Sequence, residues 1–271
     1  MQAIGGLAYR EGLVPWLVHA DWERLPWLTH GWSTRLGGVS EGPWSSLNLG
    51  GSGDAEQNVR QNRQLWLQTL GMDGWTEVYM NQVHGSRVAV ATGAGTLLAT
   101  DGVVSNTPGL ALHVLVADCL PILFLSRRCR AVGAVHAGWR GTVAQIAPQA
   151  VALMVREFGA APEEIEACIG PGIGSCCYLV DEPVLSQVRR LPVPWVQAVK
   201  ESMVAGQQYL DLPLLNRLLL QSAGLKPEHI HLSQVCTMHD ADRFYSYRRD
   251  RGTTGRQVAT IGLKPLLRQD L

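Results

Sequence analysis

The chain carries no excess of charge of either sign: 23 lysines and arginines are matched by 23 aspartates and glutamates across 271 residues. Nucleic-acid binders show a basic surplus or a basic stripe. Composition therefore excludes a nucleic-acid partner, while leaving room for a local anion pocket. A long uninterrupted apolar run is also missing. The longest candidate, LALHVLVADCLPILFL (110–125), is broken by His113, Asp118 and Pro121 and is short of a bilayer span. Near the N-terminus, Arg10 and Glu11 interrupt the chain before an apolar stretch reaches signal length. The expectation is a cytoplasmic protein that makes no membrane contact.

Disulfide density is low as well. Six cysteines (Cys119, Cys129, Cys168, Cys176, Cys177 and Cys236) in a chain of this length, without an export signal, are expected to remain thiols and free to bind metal. There is no CxxC pairing, internal repeat, low-complexity linker or break in composition. Residues 1–271 are expected to form one domain, with the oligomeric state open and a monomer allowed.

What is present is a sequence of short strands and a few helices. The stretch 29–51 reads as strands and turns, and 58–71 as a helix closed by Gly71. EVYMNQVHG (77–85) and RVAVA (87–91) read as strands around a Gly-Ser turn. The run 110–125 is one long strand or two, broken at Asp118-Cys119, and 131–138 is another. Residues 142–158 follow the i, i+3, i+4, i+7 rule through four turns, with Pro148 placed to kink or divide the helix. Strands at 165–170, 229–236 and 257–263 and helices near 181–190 and 211–223 complete the pattern. Without strict alternation, this favours a mixed α/β (α+β) fold over a doubly wound one.

Three polar residues share one structural situation. His84, Cys119 and His136 each end or interrupt an apolar strand, beside Gly85, Pro121 and Gly138. Strand ends of a sheet converge, so ligands far apart in sequence can meet there. Two imidazoles and a thiolate suit zinc, and three protein ligands leave a fourth position for water or substrate. A closed structural site would need a fourth ligand. On spacing alone, ordinary hydrogen-bonded strand-end residues remain the alternative.

NQVHG (81–85), ADCLPI (117–122), VHAGWRGT (135–142) and CIGPGIGSCCY (168–178), in this order, closely resemble the multicopper polyphenol oxidase or laccase-domain (YfiH-like) family. STRLGGVS (33–40), SLNLG (46–50) and FYSYRRDRGTTGRQ (244–257) fit the same family, so the likeness spans residues 29–262. The resemblance implies mixed sheets in an α-β-β-α layered arrangement. It also implies a zinc-dependent purine nucleoside phosphorylase acting on nucleosides and inorganic phosphate, with adenosine deaminase and methylthioadenosine-cleaving activity. The family's zinc ligands fall on His84, Cys119 and His136. The fold is shared with a toxin deamidase that uses a catalytic cysteine, which keeps a second reading open: a hydrolase with Cys119 as nucleophile and His136 as base. Copper oxidase chemistry is disfavoured. A laccase needs many paired histidines, and this chain has 8, with His229-Ile-His231 the one HxH pair, read as surface.

Around the triad, Gln82 and Asp118 are candidates to orient the ligands or to be plain surface residues. Arg35 and Arg140 are candidates to hold phosphate with a guanidinium fork, or to pair at the surface. Asn48 either meets ribose hydroxyls or closes a turn, and Trp139 is placed near a purine ring. GPGIGSCCY lacks the P-loop lysine and reads as a tight strand-to-helix turn that shapes the pocket. The family pattern has an acid after CCY; Leu179 stands there, which puts one contact in doubt but not the zinc. Cys236 and His239 suggest a second metal but have no sequence partners nearby. Arg248 and Arg249 are either ion-pair residues or substrate contacts.

Overall fold

The strand pair Leu120–Ser126 and Ala131–Ala137 sets the architecture because both of its faces are buried. In the first strand Ile122 and Phe124 face helices, while Leu123 and Leu125 face another sheet. Successive side chains point to opposite faces, so a strand with two dry faces reads as one continuous apolar run. The two strands pair antiparallel with Pro121 opposite His136. The computed structural model describes residues 3–4, 6–50 and 53–265; Gly51, which closes the stretch read as strands and turns, lies outside them.

A six-stranded sheet runs in the order Ile230–Leu232, Ile165–Ile169, Leu120–Ser126, Ala131–Ala137, Gly102–Ser105, Val88–Val90. An eight-stranded sheet includes, side by side in this order, Leu28–Ser33, Gln257–Leu263, Leu110–Val116 and Thr76–Met80. Leu112, Val114 and Ile261 of the larger sheet pack on Leu123, Leu125 and Val132 of the smaller, forming the dry layer between them. The helix Glu56–Leu70 covers the far face of the larger sheet, where Trp66 packs on Leu47 and Val258 and donates to Thr260 Oγ1 at 2.8 Å. Ile146–Phe158 and Leu212–Ser222 cover the far face of the smaller one. The layers are α-β-β-α, as the resemblance implied. Among the described residues no helix is long and apolar enough to cross a membrane.

The differences from the sequence reading are local. The helix expected at 142–158 is two: Trp139–Val143 and Ile146–Phe158, separated at Gln145 with φ 59°. Pro148 therefore sits in the first turn of the second helix, where its missing N–H costs nothing. The strand expected at 77–85 ends at Met80, because residues 81–85 are bonded sideways to other elements. Only Ile230–Leu232 of 229–236 is strand. The glycine-rich turn at 170–178 leads first into the short strand Leu179–Asp181 of a small third sheet, and only then into the helix Glu182–Val188.

Candidate functional site

Ala117, Asp118 and Cys119 carry the chain from Leu110–Val116 in the larger sheet to Leu120–Ser126 in the smaller. The crossing is sharp, and Asp118 takes it at φ 80°, in the left-handed region. It is held there from all sides. Its carbonyl accepts from Ile173 N at 2.8 Å, and its buried carboxylate accepts from Thr237 Oγ1 (2.7 Å), Ser246 Oγ (3.0 Å) and Arg248 N (2.7 Å). Asp118 thus fixes the backbone beside Cys119 and gathers the C-terminal segment, and makes no bond to either histidine.

The two histidines are set by Asp101, which the sequence reading missed. This fully buried carboxylate accepts from the backbone N–H groups of Val83 (3.1 Å), His84 (2.9 Å) and Gly85 (2.8 Å), and lies 2.8 Å from His136 Nδ1. Engaging Nδ1 leaves Nε2 of His136 as the nitrogen free to take a ligand's role. His84 itself takes the left-handed turn, at φ 59°. A sequence signal existed: an acid directly before the wholly buried strand Gly102–Ser105 must find partners.

The ligand atoms of His84, Cys119 and His136 lie within 4.8 Å of one another. The two imidazole rings meet edge to face, their centroids 4.7 Å apart. Gly138 has no room for a side chain: a Cβ there would stand 2.9 Å from Cys119 Sγ and 3.4 Å from His84 Cδ2. Burial opposes a thiolate at Cys119, but the His136 and His84 rings outweigh it and bring the thiol down to about 6. Burial likewise opposes an imidazolium at His136, yet Cys119 and Asp101 lift it to about 9. Burial raises Asp101 too, and the His136 ring and the Gly85 and Val83 amides hold its carboxyl below the usual range. A thiolate and two imidazoles, closely spaced, fit a borderline-soft cation of the zinc class.

The triad opens into a cavity of about 750 Å³, which Gln82, Trp139, Tyr178 and Tyr247 also line. Three arginines face it, each stacked on an aromatic ring: Arg140 on Trp139 (4.5 Å), Arg248 on Tyr178 (5.4 Å) and Arg256 on Tyr247 (5.8 Å). Arg248 spends Nη1 on the Leu179 carbonyl and Arg256 spends Nη1 on the Thr254 and Gly255 carbonyls, which fixes each guanidinium and leaves its other N–H groups for an anion.

Of the residues singled out from sequence around the triad, Gln82, Asp118, Trp139, Arg140 and Arg248 reach this cavity. Gln82 spends its amide on Leu115, donating to the carbonyl (2.8 Å) and accepting from the N–H (2.9 Å), so it pins the His84 loop to the larger sheet. Arg35 and Asn48 are not brought to the lining. Arg35 donates to the carbonyls of Ser45 and Ala241 and stacks on Tyr245. Asn48 is buried; its Oδ1 accepts from Gly50 N and from Arg256 N at 2.9 Å, so it positions an arginine that the sequence did not flag. Arg249 braces carbonyls of Thr237, Met238 and Phe244. His231 is half-buried against the His19 ring at 4.2 Å rather than at the surface.

Residues 29–264 match the family described as multi-copper polyphenol oxidoreductase laccase. The purine nucleoside phosphorylase YlmD of Bacillus subtilis (strain 168) is 40% identical over 245 residues, covering 86% of this chain and 88% of that protein. The purine nucleoside phosphorylase YfiH of Escherichia coli (strain K12) is 38% identical over 234 residues, covering 85% and 92%. The crystal structure of the Bacillus licheniformis hypothetical protein YfiH superposes with a TM-score of 0.89 at 38% identity, covering 94% of this chain and 99% of that one.

Proposed function

The chain belongs to the multi-copper polyphenol oxidoreductase laccase family, and we propose that it is a zinc-dependent purine nucleoside phosphorylase working as one domain on nucleoside and inorganic phosphate. The observation that carries this reading is one cavity of about 750 Å³ holding both the His84–Cys119–His136 triad and three ring-stacked arginines. The names of the relatives support the reaction class.

In phosphorolysis a phosphate oxygen bonds C1′ of the ribose while the C1′–N9 bond breaks and the base departs with the electron pair. The phosphate must be held close and oriented, which is worth much of the barrier. Arg140, Arg248 and Arg256 supply that hold, and Trp139, Tyr178 and Tyr247 give the purine flat walls. His84, Cys119 and His136 hold the cation, with His136 kept in one orientation by Asp101. When bound, the cation supplies Lewis acidity to the substrate or to a water beside it. From the family resemblance the reading extends to adenosine deamination and methylthioadenosine cleavage in the same cavity.

A second reading rests on a specific observation: Cys119, His136 and Asp101 are also in the order of a cysteine-nucleophile triad, with the thiol lowered and the base oriented. A metal-bound thiolate is not a free nucleophile, so zinc content separates the two. Copper oxidase chemistry is disfavoured by donor count. Among the described residues the two groups able to hold a metal contain His84, His136 and His239, too few for a laccase's copper sites.

The test is incubation of zinc-replete protein with adenosine or inosine, with and without phosphate, and separation of products. Phosphate-dependent free base establishes the phosphorylase, and phosphate-independent inosine from adenosine adds the deaminase. Neither product would overturn the purine assignment and leave the Cys119 hydrolase.

A further inference from the structure

A second group of metal-ligating side chains lies outside the triad. Two loops far apart in sequence, 170–178 and 233–241, are pinned side by side by the bridge between Gly172 and Cys236 and by the Thr237 N–H bond to Gly172 O at 3.0 Å. The Gly174 carbonyl accepts from both Cys177 N and Tyr178 N, and the turn leaves Cys176 exposed with Cys177 half-buried beside it. Cys176 Sγ and Cys177 Sγ stand 3.5 Å apart, and with a ring nitrogen of His239 they form a group whose ligand atoms lie within 4.8 Å of one another. Cys236 adds a third sulfur beside them, accepting from Gly174 N at 3.2 Å. A Cβ at Gly174 would stand 3.2 Å from Cys236 Cβ and 3.6 Å from the sulfurs of both Cys176 and Cys236, so this glycine keeps the sulfurs together.

We propose that Cys176, Cys177 and His239, with Cys236 beside them, form a second metal site that takes zinc and clamps the 233–241 loop to the 170–178 loop, which lines the cavity through Ile173 and Tyr178. Thiolates and an imidazole on a tight turn are a donor set for a thiophilic cation and a poor one for magnesium or calcium. Cys176 and His239 are exposed, so the cation enters without any opening of the fold. The site shares no ligand with His84, Cys119 and His136.

The clamp matters because of what hangs on the two loops. Thr237 Oγ1 and Ile173 N both bond Asp118, next to Cys119, and Arg249 braces the Thr237 and Met238 carbonyls. Tyr178, beneath Arg248, follows Cys177 directly. Zinc at the clamp ties together the segments that seat the triad cysteine and one of the cavity arginines. This inference concerns metal binding alone and stands or falls apart from the purine reading.

The experiment is zinc stoichiometry on reduced full-length protein, by elemental analysis after equilibration with Zn²⁺ and removal of the excess. The wild-type chain is expected to hold two zinc ions. His84→Ala is expected to hold one, as are His239→Ala and the Cys176→Ser/Cys177→Ser double variant. His239 is exposed, so its variant keeps the fold, checked by an unchanged circular dichroism spectrum. Cobalt loaded into His84→Ala protein should give a thiolate-to-metal charge-transfer band that disappears when Cys176→Ser/Cys177→Ser is added. One zinc in the wild type with none in His84→Ala would overturn the proposal. So would stoichiometry unaffected by His239→Ala and by the double variant.

Discussion

One oxygen of Asp101 serves both histidines: Oδ1 lies 2.8 Å from His136 Nδ1 and 2.9 Å from the backbone nitrogen of His84. A single buried carboxylate therefore sets the ring orientation of His136 and the backbone turn that presents His84. Asp101→Asn keeps the size but offers one acceptor in place of two, and places N–H groups against N–H groups. Zinc affinity at the triad is expected to fall about 10- to 100-fold, the usual cost of losing such a partner. Competition with a chromophoric chelator reads this directly. An unchanged affinity would mean that the histidines are held by something else.

Gly138 offers a steric test of the same site. Gly138→Ala puts a methyl group 2.9 Å from Cys119 Sγ. Overpacking of this kind costs about 1–3 kcal/mol, and here it also pushes a ligand sulfur off its position. The expected result is a lower Tm together with zinc loss at the triad. Stability lost with zinc retained would show that the sulfur can move without consequence.

The arginines divide by location. Arg256→Ala or Arg140→Ala is expected to raise KM for phosphate by roughly 10- to 100-fold, the worth of a charged hydrogen bond. Arg35→Ala removes bonds to Ser45 and Ala241 outside the cavity. It should lower thermal stability and leave KM for phosphate alone. Steady-state kinetics at varied phosphate separates these outcomes, and a large KM effect at Arg35 would place phosphate elsewhere.

Acid sensitivity follows from a histidine outside the site. His30 is buried, its Nε2 accepts the His19 N–H at 2.9 Å, and burial with the neighbouring His19 brings it down to about 3. The unfolded chain takes up that proton near pH 6.5, whereas the folded one resists it down to about pH 3. Stability is therefore full above pH 6.5 and declines as pH falls toward 3, by on the order of 3 kcal/mol at pH 4 from this group. Urea midpoints across this range should show the decline, and His30→Gln should flatten it. Parallel profiles would assign the acid loss to other groups.

The mixed α/β class was legible because periodicity carries it, and the grouping of His84, Cys119 and His136 because residue type does, whereas the α-β-β-α layering came from the family resemblance. Leu120–Ser126 reads as a strand from its unbroken apolar run, and the histidines and cysteine stand out as polar residues where strands end. The supporting shell was far less legible. Asp101 is an unremarkable acid in sequence, and only its depth shows that its partners are the Val83–Gly85 amides and His136. Arg35 stood out through the glycines beside it, which serve a turn. Arg256 reaches the cavity through a backbone bond to Asn48, a contact between residues that no local pattern links. The Cys236–His239 pair lacked partners in sequence because Cys176 and Cys177 arrive from another loop.

The passage of the chain from one sheet to the other at Ala117–Cys119 has a mechanical consequence. His84 hangs from the larger sheet through Gln82 and Leu115, His136 belongs to the smaller, and Cys119 sits on the seam. An ion gripped by all three, as proposed, would act as a rivet through both layers. Part of its binding free energy would then be spent holding the layers in register. Stripping the triad should loosen amide-exchange protection along the whole interface around Leu112, Val114, Leu123 and Val132, well beyond the cavity itself.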